Sequence, residues 1–213
     1  NEMYIGTFHS LCLRIIKEHL EFTRLKRNYR TLDAFDQNYT VFQNISRFRA
    51  IKDIDTLLPK GSWKMAQEIC VYVNNLMEEL VDPDALKTDG NPDIRILGNV
   101  LEAYKDILAE NNLVDFASIQ TEAYRLMKDN LEILKELQNR LQYIMIDEYQ
   151  DSNLIQEAIL TSVSGCRSGR YNIFMVGDVK QSIYRFRLSR PELFLEKYST
   201  YTSEESAHQK IEL

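Results

Sequence analysis

The sequence predicts an α/β fold in which a partial parallel sheet is interrupted by a mainly helical insertion. Three observations predict it. Compact apolar runs stand toward the two ends of the chain, at Tyr4–Phe8, Tyr143–Asp147 and Ile173–Val176. Their apolarity is continuous rather than alternating, as in strands covered on both faces of a parallel sheet. Apolar residues recur at the helical period through most of the rest, and seven glycines and four prolines in 213 residues leave room for long helices.

Taken in order, Tyr4–Phe8 reads as the first strand, and Leu11, Ile15, Ile16 and Leu20 form an apolar stripe on a helix directly behind it. A helical stretch of about residues 24–112 follows. Within it, Ala66 to Leu80 repeats through Ile69, Val73, Leu76 and Met77, and Ile94–Asn111 repeats likewise. Pro59-Lys60-Gly61-Ser62 and Asp89-Gly90-Asn91-Pro92 break this stretch. Ser118–Lys128 and Leu131–Leu141 are further helices, after which the other two strands complete the core. The division expected is therefore 1–23 as the first part of the core, 24–112 as the insertion and 113–213 as the remainder.

Composition narrows the function. A chain 44% hydrophobic and 27% charged is globular rather than disordered. Its longest apolar runs, such as Tyr143–Ile146, are far too short to cross a bilayer, and the first residues carry no signal-peptide pattern. Cys12, Cys70 and Cys166 are odd in number and widely spaced, which gives neither a disulfide framework nor a zinc pattern and suits a reduced cytoplasmic protein with no membrane association. The net charge of −6 argues against nucleic acid as a partner, but it is unevenly spread. Residues 78–122 hold eleven acidic and three basic side chains, whereas 1–30 hold six basic against three acidic and 167–190 six basic against one acidic. The two basic segments are where nucleic-acid contact is expected.

Three motifs carry chemistry. In Tyr143-Ile144-Met145-Ile146-Asp147-Glu148-Tyr149-Gln150-Asp151 an apolar strand delivers Asp then Glu at its carboxyl end. Nucleotide hydrolases place a Mg²⁺-binding carboxylate and a water-activating carboxylate there. The same pair could instead cap the following helix. In Val176-Gly177-Asp178-Val179-Lys180-Gln181-Ser182-Ile183-Tyr184-Arg185-Phe186-Arg187, Gly177 ends a strand where backbone can approach a ligand closely. Gln181 offers both donors and an acceptor to a terminal phosphate or a water. The interleaved aromatics and arginines suit single-stranded nucleic acid, or equally an amphipathic segment with its rings in a core. Gly6-Thr7-Phe8-His9-Ser10 sets hydroxyls, a ring and an imidazole at a strand-to-helix turn.

TFHS, DEYQDSN and VGDVKQSIYRFR, in that order and spacing, resemble the UvrD/Rep/PcrA group of superfamily 1 DNA helicases. The stretch VGDVKQSIYRFRLSRPELFLEKY is most similar to the AddA branch, the helicase–nuclease subunits of a bacterial recombination complex, and Leu113-Val114-Asp115-Phe116 resembles the group's LDFDDL segment. The resemblance implies a partial RecA-like P-loop NTPase domain with a helical accessory insertion, using ATP and Mg²⁺. It implies that Asp147 coordinates the metal, Glu148 is the general base and Gln181 contacts the γ-phosphate. Thr7, Phe8, His9 and Ser10 would line the single-strand path, with Tyr184 and Phe186 facing bases and Arg187 beside them. Phe186 stands where many members carry Trp. Implied partners are single-stranded and duplex DNA and an AddB-type subunit.

No GxxxxGK[ST] phosphate cradle occurs in the 213 residues, nor does the arginine-bearing motif of a second RecA-like domain. The expectation is a piece of a longer helicase/nuclease protein that works in double-strand break repair and recombination, inactive as an ATPase by itself. The alternatives are a stand-alone single-stranded DNA-binding module, or a protein-interaction module docking through the acidic stretch 78–122.

Overall fold

A computed structural model describes residues 3–178, 180, 190–204 and 206–212. The expected site residues Gln181, Tyr184, Phe186 and Arg187 lie outside the described residues. The chain is mostly helical with two small parallel sheets, and it divides into two compact units, Asn1–Ala123 and Tyr124–Leu213.

In the first unit, helix α1 (Phe8–Glu18) starts at Thr7, whose side-chain oxygen accepts from the Ser10 amide, and it buries Cys12, Ile15 and Ile16. The expected strand Tyr4–Phe8 does not form. Residues 3–7 are exposed coil and Phe8 already belongs to the helix. A strand needs a neighbour to satisfy its amides and carbonyls, and among the described residues none pairs with this segment.

Within the stretch expected to be helical, 24–112, a run of helices extends from residue 34 to 110. It comprises α2 (Ala34–Gln43), α3 (Ile45–Arg49), α4 (Ile54–Leu57), α5 (Ser62–Glu78), α6 (Pro83–Lys87) and α7 (Pro92–Glu110). The two breaks are helix starts: Gly61 is the N-cap of α5, and Asn91 caps α7 through the Asp93 amide with Pro92 at the first turn. Val41, Phe48, Met65, Ile69, Val73, Val100, Leu101, Tyr104 and Ile107 belong to one buried cluster drawn from these helices. The base of the stretch is closed by a parallel pair that the sequence reading lacks. Strand β1 (Arg30–Thr31) lies beside β2 (Leu113–Val114), with Arg30 opposite Leu113 and Thr31 opposite Val114. Asn112, in the left-handed region at φ 53°, receives the Lys26 amide on its side chain at 2.9 Å and holds the two ends together.

Helix α8 (Phe116–Asp129) runs across the division between the units. The second unit continues with α9 (Leu131–Arg140), β3 (Ile144–Ile146), α10 (Leu154–Val163), β4 (Ile173–Met175) and α11 (Pro191–Thr200). Strands β3 and β4 pair in parallel, Ile144 to Ile173, Met145 to Phe174 and Ile146 to Met175. Parallel pairing is as expected; burial on both faces is not. Met145 is 76% exposed and Phe174 50%, because among the described residues this sheet has only two strands and one of its faces is left uncovered. Among the described residues no helix is long and apolar enough to cross a membrane.

Candidate functional site

Asp147 and Glu148 leave the carboxyl end of β3, and both are exposed. Glu148 stands at the N-cap position of a 3₁₀ turn, Tyr149–Asp151, but makes no side-chain bond to cap it. The following α-helix is capped by Asn153, which accepts from the Gln156 amide while Gln156 reciprocates on the Asn153 amide. The Asp147 carboxylate instead accepts from the Glu148 amide at 3.0 Å. Glu148 is held in the left-handed region at φ 53° and ψ 38°, a conformation that costs a side-chain-bearing residue roughly 1–2 kcal/mol. Strain of this kind persists only where the surroundings impose it.

The surroundings are specific. The Val176 amide donates to Ile146 O at 2.8 Å and the Tyr149 amide to Val176 O at 2.9 Å, so the turns after β3 and β4 are stitched together. Tyr149 and Gln150 are buried beneath this turn. The Tyr149 hydroxyl donates to Glu157, which also pairs with Lys197 of α11 at 2.6 Å. Burial first, then the bond to Glu157, hold the Tyr149 phenol far above its ordinary range, so it stays a donor. Gly177, expected to let the backbone approach a ligand, is packed here against the chain's own Gln150 and Phe194. A Cβ there would lie 2.6 Å from Gln150 Oε1 and 2.9 Å from the Phe194 ring. Asp147, Glu148, Gly177 and Asp178 are thus gathered at one end of the parallel pair.

In the first unit, Thr7, Phe8, His9 and Ser10 form the first turn of α1 and the residue before it. Tyr4 donates to Ser10 Oγ at 2.6 Å, and the Arg14 guanidinium lies 5.4 Å from the Tyr4 ring centre. A cavity of about 460 Å³ beside them is lined by Tyr4, Ser10, Leu13, Arg14, Lys17 and Glu18. The half-buried His9 ring packs 3.6 Å from the exposed Phe116 ring, and its Nε2 donates to the Phe116 carbonyl at 3.0 Å. A carbonyl can only accept, so Nε2 carries the proton. Burial lowers the His9 pKa and outweighs that bond, keeping the imidazole neutral. Burial also pushes the Cys12 and Cys70 thiols up to about 12, which leaves both protonated and unreactive.

Phe116 follows a buried polar cluster. Gln37 Nε2 donates to Asn74 Oδ1 at 2.8 Å, Tyr104 Oη at 2.9 Å and Asp115 Oδ2 at 3.1 Å. Tyr104 donates to the same carboxylate, whose other oxygen caps Ser118. The segment Leu113–Phe116, known from the sequence only as a motif, is therefore locked to α2, α5 and α7.

Two residues stand out that the sequence reading assigned no role: Gln150, inside a motif but marked only by its burial, and Phe116, paired with a histidine 107 positions away. Among the described residues no cluster of three His, Cys, Asp or Glu side chains is placed to hold a metal ion alone. A single exposed carboxylate fits Mg²⁺, which keeps most of its waters and shares one or two carboxylates with substrate phosphates.

A parallel strand pair whose carboxyl ends carry an exposed Asp-Glu and a glycine-led turn is the layout of nucleotide-hydrolysing α/β proteins. Residues 1–202 match the UvrD/REP helicase N-terminal domain, and the chain belongs to that helicase family. It is 49% identical over 120 residues to the AddA subunit of the ATP-dependent helicase/nuclease of Lachnoclostridium phytofermentans, covering 53% of this chain and 8% of that protein. The protein of the same name from Natranaerobius thermophilus is 37% identical over 163 residues, 76% of this chain and 13% of its own. That of Listeria monocytogenes is 34% identical over 187 residues, 86% and 14% respectively. The chain thus spans between 8% and 14% of the length of these three relatives.

Proposed function

We propose that this chain is part of the ATP-driven motor of an AddA-type helicase/nuclease subunit that translocates on single-stranded DNA in double-strand break repair and recombination. Residues 1–23 and 113–213 would belong to a RecA-like motor domain and 24–112 to its helical accessory insertion. The observation that carries the reading is the pair Asp147–Glu148. Both carboxylates are exposed at the end of a parallel strand, and neither is spent on capping the following helix.

In this reading Asp147 holds Mg²⁺, which when bound with ATP offsets the charge of the phosphates. Glu148 accepts the proton of the attacking water through its carboxylate, and Gln181 contacts the γ-phosphate. Thr7, Phe8, His9 and Ser10 line the path of the strand, and the tyrosine ring, hydroxyl and cations of the neighbouring cavity suit a sugar–phosphate chain. Tyr184 and Phe186 stack on bases and Arg187 neutralises phosphate. Partners are single-stranded and duplex DNA and an AddB-type subunit, in the cytoplasm and without membrane association. The 213 residues alone do not hydrolyse ATP, because they contain no phosphate cradle.

The test is DNA-stimulated ATP hydrolysis by the full-length protein carrying this chain. E148Q, which keeps the shape and removes the base, is expected to lower turnover by at least about 10²-fold. Unchanged turnover contradicts the assignment.

A further inference from the structure

We propose that Gln150 is a positioning residue for Glu148, its buried amide fixing the Glu148 carboxylate to the turn that follows β4. The inference rests on the reading of Glu148 as the general base. Gln150 is 0% exposed, and a buried amide is tolerated only where its polar atoms are satisfied. Here the two ends of one side chain are satisfied by two different segments. Nε2 donates to Glu148 Oε2 at 2.5 Å, and Oε1 accepts the Asp178 amide at 3.0 Å.

The packing leaves this side chain little room. Gly177 admits Gln150 Oε1 where any Cβ would collide with it, and the Phe194 ring edge closes on the same spot. The Tyr149 amide, bonded to Val176 O, fixes the backbone one residue earlier. Glu148 is otherwise an exposed side chain, and holding such a chain in one rotamer costs conformational entropy. A bond from a buried, pre-set donor meets that cost before substrate arrives, and it leaves Oε1 of Glu148 to take a proton. The Gly177–Asp178 turn leads in sequence to Gln181, so a displacement of that turn would reach Glu148 through one amide.

The bonds separate by substitution. Q150E keeps an acceptor for the Asp178 amide but sets a second, buried carboxylate against Glu148, where the two repel or share a proton; Q150M removes both bonds at similar volume. Both would be made in the full-length protein, with E148Q alongside, and two quantities measured. One is kcat and KM for ATP at saturating DNA; the other is amide hydrogen exchange in nucleotide-free protein. Q150E is expected to lower kcat on the order of 10–100-fold, the range set by misplacing a catalytic group by about 1 Å, with KM and exchange at Asp178 unchanged. Q150M is expected to lower kcat similarly and to speed exchange at Asp178 alone. Wild-type kcat in Q150E, with E148Q inactive, overturns this inference and spares the reading of Glu148. Wild-type turnover in E148Q overturns both. Raised exchange throughout β4 and α10 in both variants assigns Gln150 a purely structural role and likewise overturns the proposal.

Discussion

Replacing Gly177 with alanine tests how tightly the two strand-end turns are interlocked. The added Cβ would stand 2.6 Å from Gln150 Oε1, 2.9 Å from Phe194 Cε2 and 3.2 Å from the Gln150 backbone nitrogen. The amide tip can swing away, but only by giving up the Asp178 amide and leaving buried polar atoms unpaired, at about 1–3 kcal/mol. Displacing the Phe194 edge adds about 1 kcal/mol of overpacking. Against these, alanine restricts the unfolded chain and returns about 0.4–1 kcal/mol. The losses win, and the expected net destabilisation is about 1–3 kcal/mol, or roughly 5- to 150-fold in the folding constant by the relation of 1.4 kcal/mol per decade. Urea unfolding of the 213-residue chain, followed by circular dichroism, reads this directly. Gly90→Ala is the control, since nothing lies within 4 Å of a Cβ there, and it is expected to be neutral or slightly stabilising. A Gly177→Ala chain as stable as the parent would show that the turns are not packed as described.

Two further outcomes concern the first unit. Tyr104→Phe removes the hydroxyl that donates to the buried Asp115 carboxylate and accepts from Gln37. A hydrogen bond to a charged group contributes about 1.5–3 kcal/mol, so urea unfolding is expected to show a loss of that size with an unchanged slope; a loss under about 0.5 kcal/mol would contradict the network. His9 gives a pH dependence. Its folded pKa lies below the ordinary 6.5, so below pH 6.5 the unfolded chain takes up a proton that the folded chain resists. Stability is whole above 6.5 and declines as pH falls from there to the folded pKa. His9→Gln is expected to flatten the difference between urea midpoints at pH 7.5 and 5.5, and an equal difference in both chains would rule out the buried neutral imidazole.

The helices were the most legible part of the sequence, since each carries its own signals. Asn91-Pro92 starts α7 and Ile69, Val73 and Met77 line the buried face of α5, all within a few turns of chain. Strands were less legible because a strand depends on its neighbour. Tyr143–Asp147 and Ile173–Val176 contain β3 and β4 because each found the other, whereas Tyr4–Phe8, broken by Gly6 and Thr7, has no partner among the described residues and stays coil. The pair Arg30–Thr31 with Leu113–Val114 spans more than 80 residues and is two residues long, which leaves no local pattern to detect. At the site, residue types at a strand end pointed to Asp147 and Glu148. Composition could not say whether they cap the following helix; in the structure the Asn153–Gln156 capping box takes that place. Gln150 was hidden for a different reason, since its meaning lies in a contact with a turn 28 positions away.

The central claim is that the carboxylate of Glu148 performs chemistry rather than binding or folding. The most direct measurement is a single-turnover experiment on the full-length protein and its E148Q variant, following ATP binding and phosphate formation separately in the presence of single-stranded DNA. The account predicts ATP affinity and DNA binding close to those of the parent, with the hydrolysis step slowed by at least about 10²-fold. Equal loss of binding and hydrolysis, or hydrolysis at the parental rate, would contradict it.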